Sequence, residues 1–344
     1  MLRQERRRAK GAGETPRTLL EADFLLAVND AVRHGAIQFS GNDLPDAGGH
    51  SMPTLHLLGQ LLSASTRLQN DMESEDDLLL LLSPGASLGG ARPKAAVQDA
   101  QGKLWIAKFP GSKDQWDVPL WEYVSLKLAY EAGLQAPRFR LEKARGKNVL
   151  LTERFDRDGP ARIPFASAMT LLDLMDGDEG SYMEIGEIAR EDGSRPMEDI
   201  KELWSRMVFN AMTSNVDDHL RNHAFLRESS GWRLSPVYDL ESSPSEYKSH
   251  YQHTPLAPQS RLPLDMVCSE ALAASEEFGL PLDEARTAMQ RLSHAIEKWA
   301  STARSANAAK AEIEIMESAF RTKIPADAVK AYPSCDVPNP EEES

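Results

Sequence analysis

Apolar residues recur at helical spacing from Leu55 to Leu68, and the acidic run Glu73-Ser74-Glu75-Asp76-Asp77 opens a second helical stretch through Leu82, where negative charge suits a helix start. The period then shortens. Ala95 to Asp99 and Lys103 to Phe109 read as two strands about a Gln101-Gly102 turn, and Trp121, Val124, Leu128, Ala129 and Ala132 form a helical stripe ended by Gly133. Phe139 to Leu141 and Val149 to Thr152 predict a second hairpin about Arg145-Gly146, after which Glu153 to Gly159 becomes polar and turn-rich, the natural place for a hinge. Beyond it Ile200, Leu203, Trp204, Met207, Val208, Ala211 and Met212 keep spacings of three and four, which predicts a long buried helix. His223 to Leu226 and Trp232 to Leu234 are short strands around Ser229-Ser230-Gly231. Pro244, Pro255, Pro258 and Pro263 then break the chain before helical patterns resume at Leu272–Phe278 and from Pro281 through Trp299.

The division expected from this pattern is a flexible or partial N-terminal segment (1–38), a small mixed α/β lobe (39–153), a mainly helical lobe (154–332) and a disordered, proline-broken acidic tail (333–344). The basic cluster Arg3, Arg6, Arg7, Arg8 and Lys10, followed by Gly11, Gly13 and Pro16, reads as a loose, solvated lead-in. A chain of 344 residues is long enough for two lobes with separate cores. The longest apolar run, Leu78 to Leu82, is far short of a membrane span, and no basic-then-apolar signal precedes it, so a cytosolic protein is expected. Only Cys268 and Cys335 occur, too few for a disulfide framework or a zinc site. A formal charge of −14 argues against direct nucleic-acid binding, which rests on Lys and Arg neutralising phosphates.

Chemistry concentrates in two places. The stretch Ser83 to Lys94 is small and glycine-rich and runs directly into a strand, so its backbone N–H groups, around Gly89 and Gly90, can fold over phosphates. Lys94 closes that loop, and Lys108 sits on the next strand between Ala107 and Phe109, where kinases carry the lysine that binds the α- and β-phosphates. Glu122 could pair with Lys108, but an exposed glutamate near a helix start is the preferred reading. The second place is the polar octet Asn215 to Asn222, followed by Asp239 after a hairpin. Asp217 can accept the proton of an attacking hydroxyl, while Asn222 and Asp239 can hold magnesium against a triphosphate. His219 and Asp218 would orient the loop, Arg221 would steady the transferring phosphate, and the backbone from Glu153 to Phe155 would meet the adenine. Two other readings stay open: a solvated polar loop, and a hydrolase in which His219 and His223 bind a transition metal with Asp217 or Asp239. Neither accounts for the upstream glycine loop and lysine. His250 and His253 read as surface residues.

With these residues in place, the chain resembles the HipA-type serine/threonine kinases, toxins of bacterial toxin-antitoxin pairs. The resemblance rests on SLGGARPK (Ser87 to Lys94), LWIAKFP (Leu104 to Pro110), LLTERFDR (Leu150 to Arg157), NVDDHLRNHAFL (Asn215 to Leu226) and LSPVYDL (Leu234 to Leu240), and covers Phe39 to Leu240 strongly. It implies an α+β, bilobal protein-kinase-like fold, ATP and Mg2+ as cofactors, Asp217 as catalytic base, and Asn222 and Asp239 as magnesium ligands. Nucleotide contacts are then implied from Ser87, Gly89, Gly90, Lys94, Lys108, Glu153, Phe155 and His219. Ser87 falls where family members autophosphorylate, adding close to two negative charges where ATP phosphates sit and so switching the kinase off.

The partners implied are a protein substrate with a serine or threonine and a small DNA-binding HipB-like antitoxin. Family members usually carry a longer β-rich segment ahead of the glycine loop, so either the start here is late or a separate small N-subdomain protein completes the lobe. Two rival functions remain: a catalytically weak ATP-binding corepressor joined to a helix-turn-helix antitoxin, and a small-molecule phosphotransferase.

Overall fold

The computed structural model describes residues 2–27, 30–39, 52–82, 92–244, 251–321 and 323. The chain opens on helix α1 (Leu2–Ala12), a correction to the loose lead-in expected from its basic, glycine-containing composition. Its Arg, Lys, Ala and Glu are strong helix formers, Arg8 pairs with Glu5 and Glu14, and Ala9 is buried. Helices α2 (Glu21–Ala27), α3 (Leu58–Gln69) and α4 (Glu75–Leu82) follow. At the start of α4 the Asp77 backbone N–H donates to the Ser74 hydroxyl and the Ser74 N–H to the Asp77 carboxylate, while Arg67 on α3 ion-pairs with Asp77.

Strands β1 (Lys94–Gln98) and β2 (Leu104–Lys108), helix α5 (Val118–Glu131), and strands β3 (Phe139–Ala144) and β4 (Lys147–Glu153) complete the small lobe. They form one antiparallel sheet in the order β1-β2-β4-β3. The β3–β4 turn places both Arg145 (φ 48°) and Gly146 (φ 80°) in the left-handed region, as a tight two-residue hairpin requires.

Because side chains alternate across a strand, Ala95, Val97, Trp105, Ala107, Val149 and Leu151 pack on Leu58, Leu61 and Leu62 of α3 and Leu81 of α4, whereas Leu150 joins the core around α5. The same alternation turns Lys108 away from the α3–α4 core. Helix α5 is started by Asp117, whose carboxylate accepts from the Leu120 N–H at 3.2 Å.

After short pairs β5 (Arg157–Asp158) and β6 (Ala161–Arg162), strand β7 (Phe165–Ser167) leads into α6 (Ala168–Leu171). Next come α7 (Tyr182–Asp192), α8 (Pro196–Met212), β8 (Ala224–Glu228), β9 (Gly231–Leu234), α9 (Leu264–Ala273), α10 (Leu282–Ile296), α11 (Trp299–Ser305) and α12 (Lys310–Met316). Helix α7 begins with a full capping box between Ser181 and Glu184. The α8 stripe is core as expected, with Trp204, Met207, Val208 and Phe209 fully buried. β7, β8 and β9 pair antiparallel in that order, and the β8–β9 hairpin is the expected one. The fold is α+β, with a small sheet lobe and a mainly helical lobe. Among the described residues no helix is long and apolar enough to cross a membrane.

Candidate active site

The two lobes enclose a cleft in two continuous parts. The inner part is lined by Ala96, Ile106, Thr152, Glu153, Phe155 and Tyr238 among others. The outer, more open part carries Glu122, Asp217, His219, Arg221, Asn222 and Glu241, and Lys94, Lys108 and Asp239 border both. Ligand sites pair apolar walls with a few placed polar groups, as this cleft does. The Phe155 and Tyr238 rings lie 5.7 Å apart.

Lys108 is held from two sides. Its ammonium is 2.5 Å from Glu122 Oε1 on α5 and also ion-paired with Asp239 of the helical lobe. Glu122 is therefore buried rather than exposed, a correction explained by α5 presenting its first turns to the sheet. Burial pushes the Glu122 carboxyl up despite the neighbouring ammonium. Burial also acts on Asp239, but there the Lys108 charge prevails and holds the carboxyl below its ordinary range. For Lys108, burial is outweighed by its two carboxylates, so the ammonium is firmly retained. Asp239 itself has a left-handed backbone (φ 53°), a conformation costly for most non-glycine residues and tolerated best by Asp and Asn.

The loop after α8 rests on a buried polar network. Asp218 accepts from the Tyr182 hydroxyl at 2.7 Å and from the His253 and Thr254 backbone N–H groups at 3.0 and 3.3 Å. Asn210 donates to the Tyr182 hydroxyl and Asn215 donates to Asn210 Oδ1, each at 3.0 Å. Burial raises the Asp218 carboxyl to about 6 in spite of these donors. Burial also lowers the His223 imidazole to about 3, with its Nε2 3.2 Å from the Asp218 carbonyl. Asp218 thus orients the loop, as expected, and its neighbour Asp217 is left exposed in the cleft.

Asn222 Nδ2 donates to the Asp217 carbonyl at 2.8 Å, which commits the amide nitrogen to the loop and leaves the amide oxygen as the donor suited to a cation. The Tyr238 hydroxyl donates to the Arg221 carbonyl at 2.6 Å and so fastens the segment before Asp239 to this loop. The hairpin thereby brings Asp217, Asn222 and Asp239 to one cleft facing Lys108. His219 joins them. Its ring meets His253 edge-on at 5.9 Å, and among the described residues its buried Nδ1 has no hydrogen-bond partner.

Arg221 is exposed and ion-pairs with Asp176. Glu153 lines the inner cleft, but its backbone N–H donates to the Arg138 carbonyl at 2.7 Å and its carboxylate pairs with Arg138. The Arg154 N–H donates to the Leu104 carbonyl, so among the described residues the main-chain groups left at this edge are the Glu153 carbonyl and the Phe155 N–H. Ser87, Gly89 and Gly90, the tail from 333 and His250 lie outside the described residues, whereas Lys94 and His253 are described, Lys94 on the cleft wall and His253 exposed. Among the described residues no three His, Cys, Asp or Glu groups are placed to hold a metal, and the His223 ring is buried with its Nε2 3.2 Å from the Asp218 carbonyl. Asn222 and Asp239 offer hard oxygen donors, which fit a magnesium ion completed by phosphates and water. Sequence reasoning missed the tie made by Tyr238, although LSPVYDL contains it, and the roles of Tyr182 and Asn210, which no local pattern signals.

The comparisons with known proteins agree in direction. A profile of the HipA-like C-terminal domain matches residues 86–300. "Putative kinase Y4mE" of Sinorhizobium fredii (strain NBRC 101917 / NGR234) is 30% identical over 149 residues, 40% of this chain and 34% of that protein. "Putative kinase Y4dM" of the same organism is 28% identical over 161 residues, 42% of this chain and 39% of that protein. The chain thus aligns with little more than a third of the length of these relatives. Among solved structures, a chain of the Shewanella oneidensis MR-1 toxin-antitoxin complex of HipA, HipB and operator DNA superposes with a TM-score of 0.58 at 17% identity, covering 94% of this chain and 78% of that one.

Proposed function

Because the chain belongs to the HipA-like C-terminal domain family, we propose that it is an ATP-dependent protein kinase that moves the γ-phosphoryl group of ATP to a serine or threonine hydroxyl of another protein. The observation that carries this reading is the convergence of Asp217, Asn222 and Asp239 on one cleft opposite a lysine already clamped by Glu122. The adenine lies in the inner cleft between Ile106 and Ala96 on one side and Phe155 and Tyr238 on the other, its edge toward the Glu153 carbonyl and Phe155 N–H.

Lys108 and Lys94 neutralise the phosphates as they leave the inner cleft. Asn222 and Asp239 would hold magnesium through their oxygens, and the ion would offset charge on the phosphates. The substrate hydroxyl enters from the outer cleft and attacks the γ-phosphorus in line. Asp217 takes its proton, the bond to the β-phosphate oxygen breaks, and ADP leaves. His219 lines the same outer cleft as Asp217.

We assign the chain, further, as the toxin of a toxin-antitoxin pair with a small DNA-binding antitoxin. The net charge of −14 suits a basic partner, and the Shewanella complex contains HipA, HipB and operator DNA. Phosphorylation of Ser87, at the edge of the nucleotide site in sequence, is the off-switch. The test is to incubate the purified chain with γ-labelled ATP, Mg2+ and cellular protein and identify the labelled amino acid. Label on serine or threonine is expected; tight ATP binding with no label would instead support the corepressor reading.

A further inference from the structure

The wall of the inner cleft is not made by the two lobes alone. Residues Asp30 to Ile37, well before the sheet in sequence, cross the hinge as a strap, and Val32 and His34 line the inner cleft beside Phe155 and Tyr238. His34 also borders the outer part, together with Lys94, Lys108, Phe165, Tyr238 and Asp239.

The strap is fastened through its backbone. Arg154 donates to the Val32 carbonyl at 2.6 Å and to the Arg33 carbonyl at 3.1 Å. Arg157 and Arg162 reach the same Arg33 carbonyl at 2.8 and 3.1 Å, and Arg162 Nε reaches the Gly35 carbonyl at 2.9 Å. The Gly35 N–H donates to Asp156 Oδ2 at 2.8 Å, and Asp156 is itself paired with Arg154 and Arg157. Arg154 and Asp156 are buried, so these bonds are made in a low-dielectric setting where each is worth more than at the surface. Gly35 has φ 64°, and a Cβ there would come within 2.8 Å of the Phe165 backbone nitrogen, so the strap fits against β7 with no space for a side chain. The His34 ring lies 5.5 Å from Phe165.

Such fastening leaves the backbone fixed while the Val32 and His34 side chains face the cleft. A group at the junction of an apolar base pocket and a polar phosphate channel stands level with the sugar of a bound nucleotide. We infer that the Asp30–Ile37 strap is part of the nucleotide site, with Val32 packing on the base and the His34 imidazole hydrogen-bonded to a ribose hydroxyl. This rests on the kinase reading of the cleft and adds to it a recognition element from outside the catalytic lobes. Nucleotide affinity is then tied to the register of the N-terminal segment.

The test is calorimetric binding of ATP, 2′-deoxy-ATP and 3′-deoxy-ATP, with Mg2+, to the intact chain and to His34→Ala and Gly35→Ala. One deoxy analogue should bind the wild type about five- to tenfold more weakly than ATP, the worth of one hydrogen bond. His34→Ala should weaken ATP by the same factor while leaving that analogue unchanged, and Gly35→Ala should weaken all three nucleotides by displacing the strap. Equal affinities of wild type and His34→Ala for ATP would overturn the inference, as would a His34→Ala loss shared by all three nucleotides together with a lower melting temperature. A wild type that binds no ATP would remove the kinase reading itself and the inference with it.

Discussion

Lys108 and its two carboxylates set the terms at the level of single residues. Replacing Lys108 by Met removes the cation that stabilises Asp239 and strands Glu122 in a buried site. Because burial already favours protonated Glu122, that carboxyl can neutralise itself, and the stability loss should stay near about 2 kcal/mol in urea unfolding while ATP affinity collapses. Asp239→Asn should keep the fold and ATP binding but lose the Mg2+ dependence of that binding, measured by titrating ATP with and without the ion. Retained Mg2+ dependence would move the metal away from this carboxylate. At this scale the sequence was most informative. Asp217, Asn222, Asp239 and Lys108 each stand in a short motif whose residue types have few other uses together, whereas the burial of Glu122 depends on how α5 lies on the sheet, a packing fact no single-residue pattern contains.

Elements decide how firmly the loop between α8 and β8 is held. Tyr182, on α7, reaches Asp218 from a part of the chain with no motif of its own, and this is why the network beneath the loop was illegible: its members meet only after α7 packs on α8. Tyr182→Phe removes one donor to a buried carboxylate and should cost about 1–3 kcal/mol in chemical unfolding, with turnover falling further than stability because the loop loosens. The same network titrates. His223 is lowered by burial to about 3, so the unfolded chain binds more protons and the fold loses stability as pH falls from about 6.5. Asp218, raised by burial to about 6, has the opposite sign: its contribution is full below about 4 and is lost as pH rises through 6. The stability gap between wild type and His223→Gln should therefore narrow from pH 7 to pH 5, whereas Asp218→Asn should gain on the wild type as pH rises over that interval. A pH-independent gap for both variants would show that neither group is buried as described. Hairpins and long helices were legible from period and turn residues. Helix α7 and strand β7 were not: α7 is short, and β7 has three residues whose pairing with β8 is set across the fold.

For the whole molecule the cleft is the joint between lobes, crossed by the Lys108–Asp239 pair and by Arg92, which bonds Asp114 in the small lobe and Glu241 at 2.9 Å in the helical one. ATP with Mg2+ at about a hundred times its dissociation constant should add about 2.7 kcal/mol to stability and raise the melting temperature by several degrees. An unchanged melting temperature would mean that the cleft does not take the nucleotide. The bilobal architecture could be anticipated because a run of strands precedes a run of helices across a polar break; the strap over the hinge could not, since its residues bond through backbone carbonyls that any sequence supplies. All of this depends on one claim, that Asp217 is the proton acceptor in a phosphoryl-transfer centre. The most direct measurement is the single-turnover rate of γ-phosphoryl transfer in wild type and Asp217→Asn, with ATP affinity determined for both. A fall of about 10²- to 10⁴-fold at unchanged affinity is expected; an unaltered rate, or a fall explained entirely by lost ATP binding, would contradict the account.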